Sequence, residues 1–167
     1  STLEINDLCH DFIVKNGAVP SPLNYHGFPK SICTSINNVI CHGIPNKKSV
    51  LCDGDIINID ITTFLNNFHG DTSKTFLIGN VRDDVRKLVD ITYLCMMEGI
   101  KEVRPGANIG NIGAIIQEIA HDNNYSVVED YCGHGIGREF HEPPQIVHIG
   151  KRGQGAEIKE GMTFTIE

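Results

Sequence analysis

No run of about 20 apolar residues occurs anywhere in this 167-residue chain, so the sequence holds no ordinary membrane-spanning helix. No block of Lys and Arg occurs either. The net charge is −7, from 14 basic and 21 acidic side chains, which argues against nucleic acid or an anionic membrane as the main partner. The six cysteines, at positions 9, 33, 41, 52, 95 and 132, form no C-x-x-C pair. Several sit in apolar runs: Ile32-Cys33, Ile40-Cys41 and Leu94-Cys95. That placement favours reduced, packed thiols in a cytoplasmic protein over a disulfide framework or cysteine-ligated zinc. There is no short-period repeat. No signal peptide is legible, and Ser1 is not an initiator methionine, so a true N-terminus further upstream is expected. What is present is ordinary for a soluble globular domain: 40% hydrophobic and 21% charged residues, enough chain for one substantial core.

The most informative stretch is Asp53 to Phe76, DGDIINIDITTFLNNFHGDTSKTF. It reads as two strands joined at Asn66-Asn67, because asparagine tolerates the positive φ of a two-residue hairpin loop. That turn sets Leu65 opposite Phe68, Thr62 opposite Asp71 and Asp60 opposite Ser73. Alternation then gathers Asp60, Thr62, Asp71 and Ser73 on one face. Asp60 and Asp71 become diagonal neighbours, roughly 7–8 Å apart along the backbone. Like charges this close destabilise each other unless a divalent cation lies between them. The other reading is a solvated face with two incidental carboxylates, and the hairpin alone does not choose.

The remaining chain supplies context. Residues 1–16 predict a helix with Ile5, Leu8, Cys9, Phe12 and Ile13 on its apolar face, and Ser1-x-x-Glu4 resembles a capping box. Ala18 to Lys30 reads as a loop by its three prolines, made aromatic by Tyr25, His26 and Phe28. Ile32–Ile36 and Val39–Cys41 read as strands around Asn37-Asn38, and His42 follows. Asp83 to Val103 predicts a long helix, with Met96 and Met97 as core. Asn108 is the expected cap of a second helix ending at Asn123-Asn124. Tyr125–Val128 and Met162–Ile166 are expected strands. Between them stands CGHGIGREFHEPP, residues 132–144, whose glycines let the backbone and His134 approach a centre closely. His134 and His141 can both reach one site. The loop lacks the Lys-Ser/Thr of a phosphate-binding loop. Ile149–Gly155 reads as an open loop, and Glu167 ends the chain on the run of the last strand.

Taken together, NYHGFPKSICTSINNVICHGIP, DGDIINIDIT, FHGDTSKTF, YCGHGIGREFHE and GMTFTIE resemble, in order, the motifs of type I methionine aminopeptidases. The resemblance runs from about Cys9 to Glu167 and looks closest to bacterial or organellar forms. It implies an α/β (α+β) pita-bread fold: a central antiparallel sheet, helices on its outer face and pseudo-two-fold halves, with residues 1–167 as a single catalytic domain. It implies two divalent metal ions (Co, Mn, Fe or Zn) held by Asp60, Asp71, His134 and Glu167, Asp71 bridging both. It implies that His42 and His141 bind the substrate or its developing oxyanion, and that Glu167 moves the proton. Tyr25, Phe28, Cys33 and Phe140 would line the methionine pocket. The implied activity is removal of the initiator methionine from nascent proteins by a cytoplasmic monomer, with at most transient ribosome contact and no nucleic acid or membrane partner.

The chain departs from the family in two places. The family carries a further bridging Glu on a later strand, beyond Glu167, so the chain is expected to be incomplete at both ends, with weakened metal binding and little activity by itself. Pro22 stands where relatives often have a small residue or Cys. Two rival readings are an Xaa-Pro aminopeptidase or prolidase on the same fold, and a non-catalytic pita-bread binding protein. Cys41-His42-Gly43-Ile44-Pro45 fits the methionine-specific family better than the first. The ligand residues argue against the second.

Overall fold

The computed structural model describes every residue, Ser1–Glu167. Two compact units divide it, Ser1–Arg86 and Lys87–Glu167. The first holds α1 (Thr2–Lys15), β1 (Val19–Pro20), a 3-10 turn (Tyr25–Gly27), β2 (Cys33–Ile36), β3 (Ile56–Leu65) and β4 (Phe68–Leu77). Helix α2 (Asp83–Lys101) carries the chain into the second unit, which adds α3 (Gly110–Asp122), β5 (Gly133–Gly135) and β6 (Glu142–Ile146).

Strand β3 organises the first unit. Strand β4 pairs along its whole length in the expected register: Leu65 with Phe68, Thr62 with Asp71 and Asp60 with Ser73. The turn residues Asn66 and Asn67 have φ of 52° and 66°, the double positive φ of a type I′ hairpin. On the other edge of β3, β2 covers residues 57–60 and β1 covers residues 63 and 64. The aromatic loop therefore leaves this edge after Pro20 and returns to it at Cys33. The outward face of β4 is exposed. Its Phe76 is covered in part by Lys74, whose Nζ stands 5.4 Å from the ring centre.

Three local expectations for this unit need correction. Residues 39–41 form no strand. Val39 N–H bonds to the Ile36 carbonyl at 3.0 Å, closing a tight turn, while the Asn37 side chain engages Asp55 and the Ile56 N–H. The aromatic segment is not loop throughout, since it begins in β1 and contains the 3-10 turn. Helix α1 keeps its capping box but only part of its expected buried face, Ile13 buried and Ile5 and Cys9 half-buried. Leu8 and Phe12 are 73% and 69% exposed, whereas Thr2, Asn6 and Ile13 are buried. The buried stripe is largely polar because backbone groups of two loops reach it.

In the second unit the apolar stripe of α3 is the core. Ile109, Ile112, Ile116 and Ala120 pack with Cys95, Ile146 and Ile158, and Tyr125, Val127 and Phe164 close the edge. Burying side chains of this size yields roughly 1.5–3 kcal/mol each. Cys95 and Gly99 are buried on α2, whereas Met96 and Met97, expected in the core, are half-buried. Asn108 does not cap α3. Its side chain donates to the Gly155 carbonyl, and the cap position is Ile109, without a side-chain bond. Residues 125–128 are not a strand, since Tyr125 N–H bonds back to Ala120 at the helix end. Residues 162–166 make only a bridge, Phe164 with Gly135. The 149–155 loop is tied down: Gly110 and Gly153 N–H groups bond to Gln154 O and Asn111 Oδ1, and Arg152 reaches Glu102 and Glu118.

Gly113 shows how tightly this unit is built. A Cβ there would lie 2.4 Å from the Ile149 carbonyl oxygen. Glycine to alanine in a helix interior normally stabilises by about 1 kcal/mol. Here the expected sign is reversed: Gly113→Ala should destabilise by about 1–3 kcal/mol, read as a lower urea midpoint at unchanged slope.

Candidate metal and peptide site

The inward face of the β3–β4 hairpin is polar along its length. Asn58, Asp60, Thr62 and Phe64 of β3 face His69, Asp71, Ser73 and Thr75 of β4. Cys33 of β2 stands directly opposite Asp60, on the same face. Asp60 and Asp71 are both half-buried. Their field is visible at Cys33. Burial first, then the charges of Asp60, Cys41 and Asp71, push its thiol up to about 12. Cys33 is therefore a neutral thiol at physiological pH, not a nucleophile. Tyr25 lies on the 3-10 turn with its ring edge-on to His26, centroids 4.3 Å apart, and Phe28 caps that turn. His42 is exposed at a left-handed position, φ 55°, just before Gly43, which pairs with Thr34.

The second unit gathers the remaining candidates. β5 carries His134, 8% exposed, with Gly133 and Gly135 on either side. A Cβ at these glycines would lie 2.3 Å from the carbonyl oxygens of Thr165 and Pro143 respectively. Only glycine lets β6 and the 163–165 segment close on His134. His141 lies with its ring centroid 4.2 Å from that of His134, and Phe140 stacks on His141 at 4.2 Å. Glu167 Oε1 stands 3.4 Å from His134 Nε2.

The tautomer of His134 tests whether a cation belongs here. Its Nδ1 is 2.9 Å from the Gly135 carbonyl, which only accepts, so Nδ1 carries the proton. In the neutral ring Nε2 is then a lone pair aimed at a carboxylate oxygen. A cation placed between that lone pair and the carboxylate would be held by both. Two same-face carboxylates on the hairpin offer such donors in the first unit. The donor set, carboxylates and one imidazole, suits hard to borderline divalent ions. The residues fit a metal.

Sequence reasoning missed the residues that orient these groups. The Thr165 hydroxyl accepts from His134 N–H at 3.0 Å and donates to Glu167 Oε1 at 2.8 Å. The period-two spacing Thr163, Thr165, Glu167 was the available signal. His148 Nε2 accepts the Glu167 backbone N–H at 3.3 Å. Burial holds His148 below the usual imidazole value, which keeps it a neutral acceptor. A separate cleft of about 230 Å³, lined by Ile109, Pro144, Gln145 and Lys151 among others, contains no metal-ligating side chain.

Comparison with known proteins places the chain in a family. The family model described as metallopeptidase family M24 matches residues 1–167. A methionine aminopeptidase of Rickettsia prowazekii is 56% identical over the whole chain, and the chain spans 64% of that relative's length. The crystal structure of methionine aminopeptidase from that organism matches with a TM-score of 0.97 at 55% identity, covering 99% of this chain and 66% of the other. The fold is thus the pita-bread fold, mixed α/β with antiparallel sheets. An Xaa-Pro dipeptidase from Bacillus anthracis matches at a TM-score of 0.80 and 19% identity, covering 99% of this chain and 44% of the other, a likeness of fold alone. No helix is long and apolar enough to cross a membrane.

The thiol environment yields a chemical test. Iodoacetamide at pH 8 should modify the exposed Cys52 at least about a hundredfold faster than the buried Cys33, followed by mass spectrometry of tryptic peptides.

Proposed function

The chain belongs to metallopeptidase family M24, and on that premise we propose that the protein is a methionyl aminopeptidase, releasing the N-terminal methionine of newly made proteins. The observation that carries the reading is the β3–β4 register, with two carboxylates and a neutral thiol on one sheet face. The high identity to methionine aminopeptidases, against likeness of fold alone to an Xaa-Pro dipeptidase, favours methionine over Xaa-Pro substrates.

Two divalent ions would be held by Asp60, Asp71, His134 and Glu167, with Asp71 serving both. The ions are of the Mn, Fe, Co or Zn type, and residues 1–167 act as one catalytic domain. When bound, two such ions lower the pKa of water toward neutrality and polarise a carbonyl. The protein's own groups do the rest. Glu167 takes a proton from the attacking water and returns it to the leaving amine, oriented for this by Thr165 and His148. His141 and His42 donate to the peptide oxygen as negative charge develops there, where one donor is typically worth about 2.7–4 kcal/mol. Tyr25, Phe28, Cys33 and Phe140 line the pocket for the methionine side chain, since sulfur and aromatic edges attract. An unbranched side chain fits such a wall, and β-branched or charged ones do not. The substrate is a peptide N-terminus, met in the cytoplasm by a monomer that touches the ribosome only transiently.

The protein as its gene encodes it should release free methionine from Met-Ala-Ser with Mn²⁺ or Co²⁺, and a chelator should stop the release. Cleavage of an Ala-Pro peptide alone would move the assignment to Xaa-Pro substrates. Asp71→Asn, which keeps size and removes charge, should abolish turnover even at saturating metal. His141→Ala should lower kcat by roughly 10²–10³ while bound metal, counted by atomic absorption, stays constant.

A further inference from the structure

Helix α1 is built against the usual rule. Leu8 and Phe12 point to solvent, 73% and 69% exposed, while Thr2 and Asn6 are 1% and 5% exposed. Thr2, Asn6 and His10 follow at i, i+4 and i+8, one stripe of the helix. Burying polar groups costs free energy unless each is hydrogen-bonded, so the stripe needs partners. It has them in two loops.

The first partner is Ser31. Its buried backbone N–H donates to Asn6 Oδ1 at 2.9 Å, and its hydroxyl meets His10 Nδ1 at 2.8 Å. Asn6 Nδ2 in turn donates to Asp7 Oδ1, which fixes the amide so that Oδ1 faces Ser31. Ser31 stands two residues before Cys33 and three after Phe28. The second partner is the turn at Asn46. Thr2 Oγ1 donates to the Asn46 carbonyl at 3.1 Å and accepts from Asn46 N–H at 3.0 Å, and Thr2 N–H donates to Ser49 O at 2.9 Å. Asn46 lies four residues after His42, beyond the buried Pro45.

The far end of the aromatic loop is held separately. Ser21 N–H donates to the Thr62 carbonyl at 2.9 Å, and its hydroxyl meets His69 Nδ1 at 2.8 Å. The sheet thus anchors the entry of the loop, and α1 anchors its exit.

We propose that Asn6 and His10, through Ser31, and Thr2, through Asn46, are positioning residues: the polar stripe of α1 sets where the side-chain-binding wall at Tyr25, Phe28 and Cys33 and the His42 segment stand. This rests on the methionyl aminopeptidase reading for the meaning of the wall, but not for the clamp. A wall held only by its backbone ends would sample positions that fit several side chains. Held by this stripe, it is preorganised for one shape, and the benefit falls on substrate binding.

The test uses the protein as its gene encodes it, with Asn6→Ala, His10→Ala and His10→Asn. Asparagine reproduces the position of the imidazole Nδ1, so His10→Asn is the conservative variant. Two readouts are taken: amide hydrogen exchange over residues 24–33, and steady-state release of methionine from Met-Ala-Ser beside Leu-Ala-Ser. Both alanine variants should speed exchange over residues 24–33 by about tenfold. They should raise KM for Met-Ala-Ser about fivefold, the worth of one hydrogen bond, with kcat within about twofold and a narrowed preference over Leu-Ala-Ser. His10→Asn should restore both readouts. If Asn6→Ala does not fold, the half-buried His10 pair decides alone. Unchanged exchange in the alanine variants overturns the clamp, as does faster exchange with KM and preference unmoved, or a His10→Asn variant as impaired as His10→Ala. A parent enzyme that releases no methionine overturns the proposed activity, and exchange then decides the clamp by itself.

Discussion

The register of one hairpin carries the chemistry of this protein. Side chains on a strand alternate with a period of two, so a slip of one residue between β3 and β4 would send Asp60 and Asp71 to opposite faces. The Asn66-Asn67 turn prevents that slip, because a type I′ loop closes with only one pairing. Everything near the site inherits this register. β2 adds Cys33 beside Asp60, and β1 delivers the aromatic loop to the same edge.

The register brings electron-pair donors onto one face. In the first unit two half-buried carboxylates share a face, and burial first, then their charge, holds the neighbouring thiol in its neutral form. In the second, Nε2 of His134 lies 3.4 Å from the carboxylate oxygen of Glu167. Each unit, taken alone, brings carboxylate or imidazole donors together. Carboxylates and an imidazole are the donor chemistry that a metallopeptidase family uses. Bonds from Thr165 to the Glu167 carboxylate and from the Glu167 backbone N–H to His148 fix where that carboxylate stands.

Helix α1 shows a second way of using polarity. Its sequence periodicity places Leu8 and Phe12 with Ile5 and Ile13 on one apolar side, and propensity alone would bury that side. Two loops that expose backbone N–H and carbonyl groups outcompete it, because an unpaired buried amide costs more than an exposed leucine. The same competition explains the lost strand at residues 39–41, where Asn37 and a tight turn capture the backbone, and the uncapped start of α3, where Asn108 is drawn to Gly155.

What could be read from the chain alone was whatever depends on short-range pattern. The hairpin, its turn type, its register and the shared face of Asp60 and Asp71 follow from alternation and from asparagine's tolerance of positive φ. The long helices and the core stripe of α3 follow from periodicity, and the family follows from motifs in order. What only the tertiary structure decided depends on partners far along the chain: which face of α1 is buried, the pairing of Cys33 with Asp60, the proton on Nδ1 of His134, and the hydrogen bonds of Ser31, Thr165 and His148. Local pattern says which groups a segment offers. The demand for a partner at every buried polar group, which only the folded chain can meet, decides where they point.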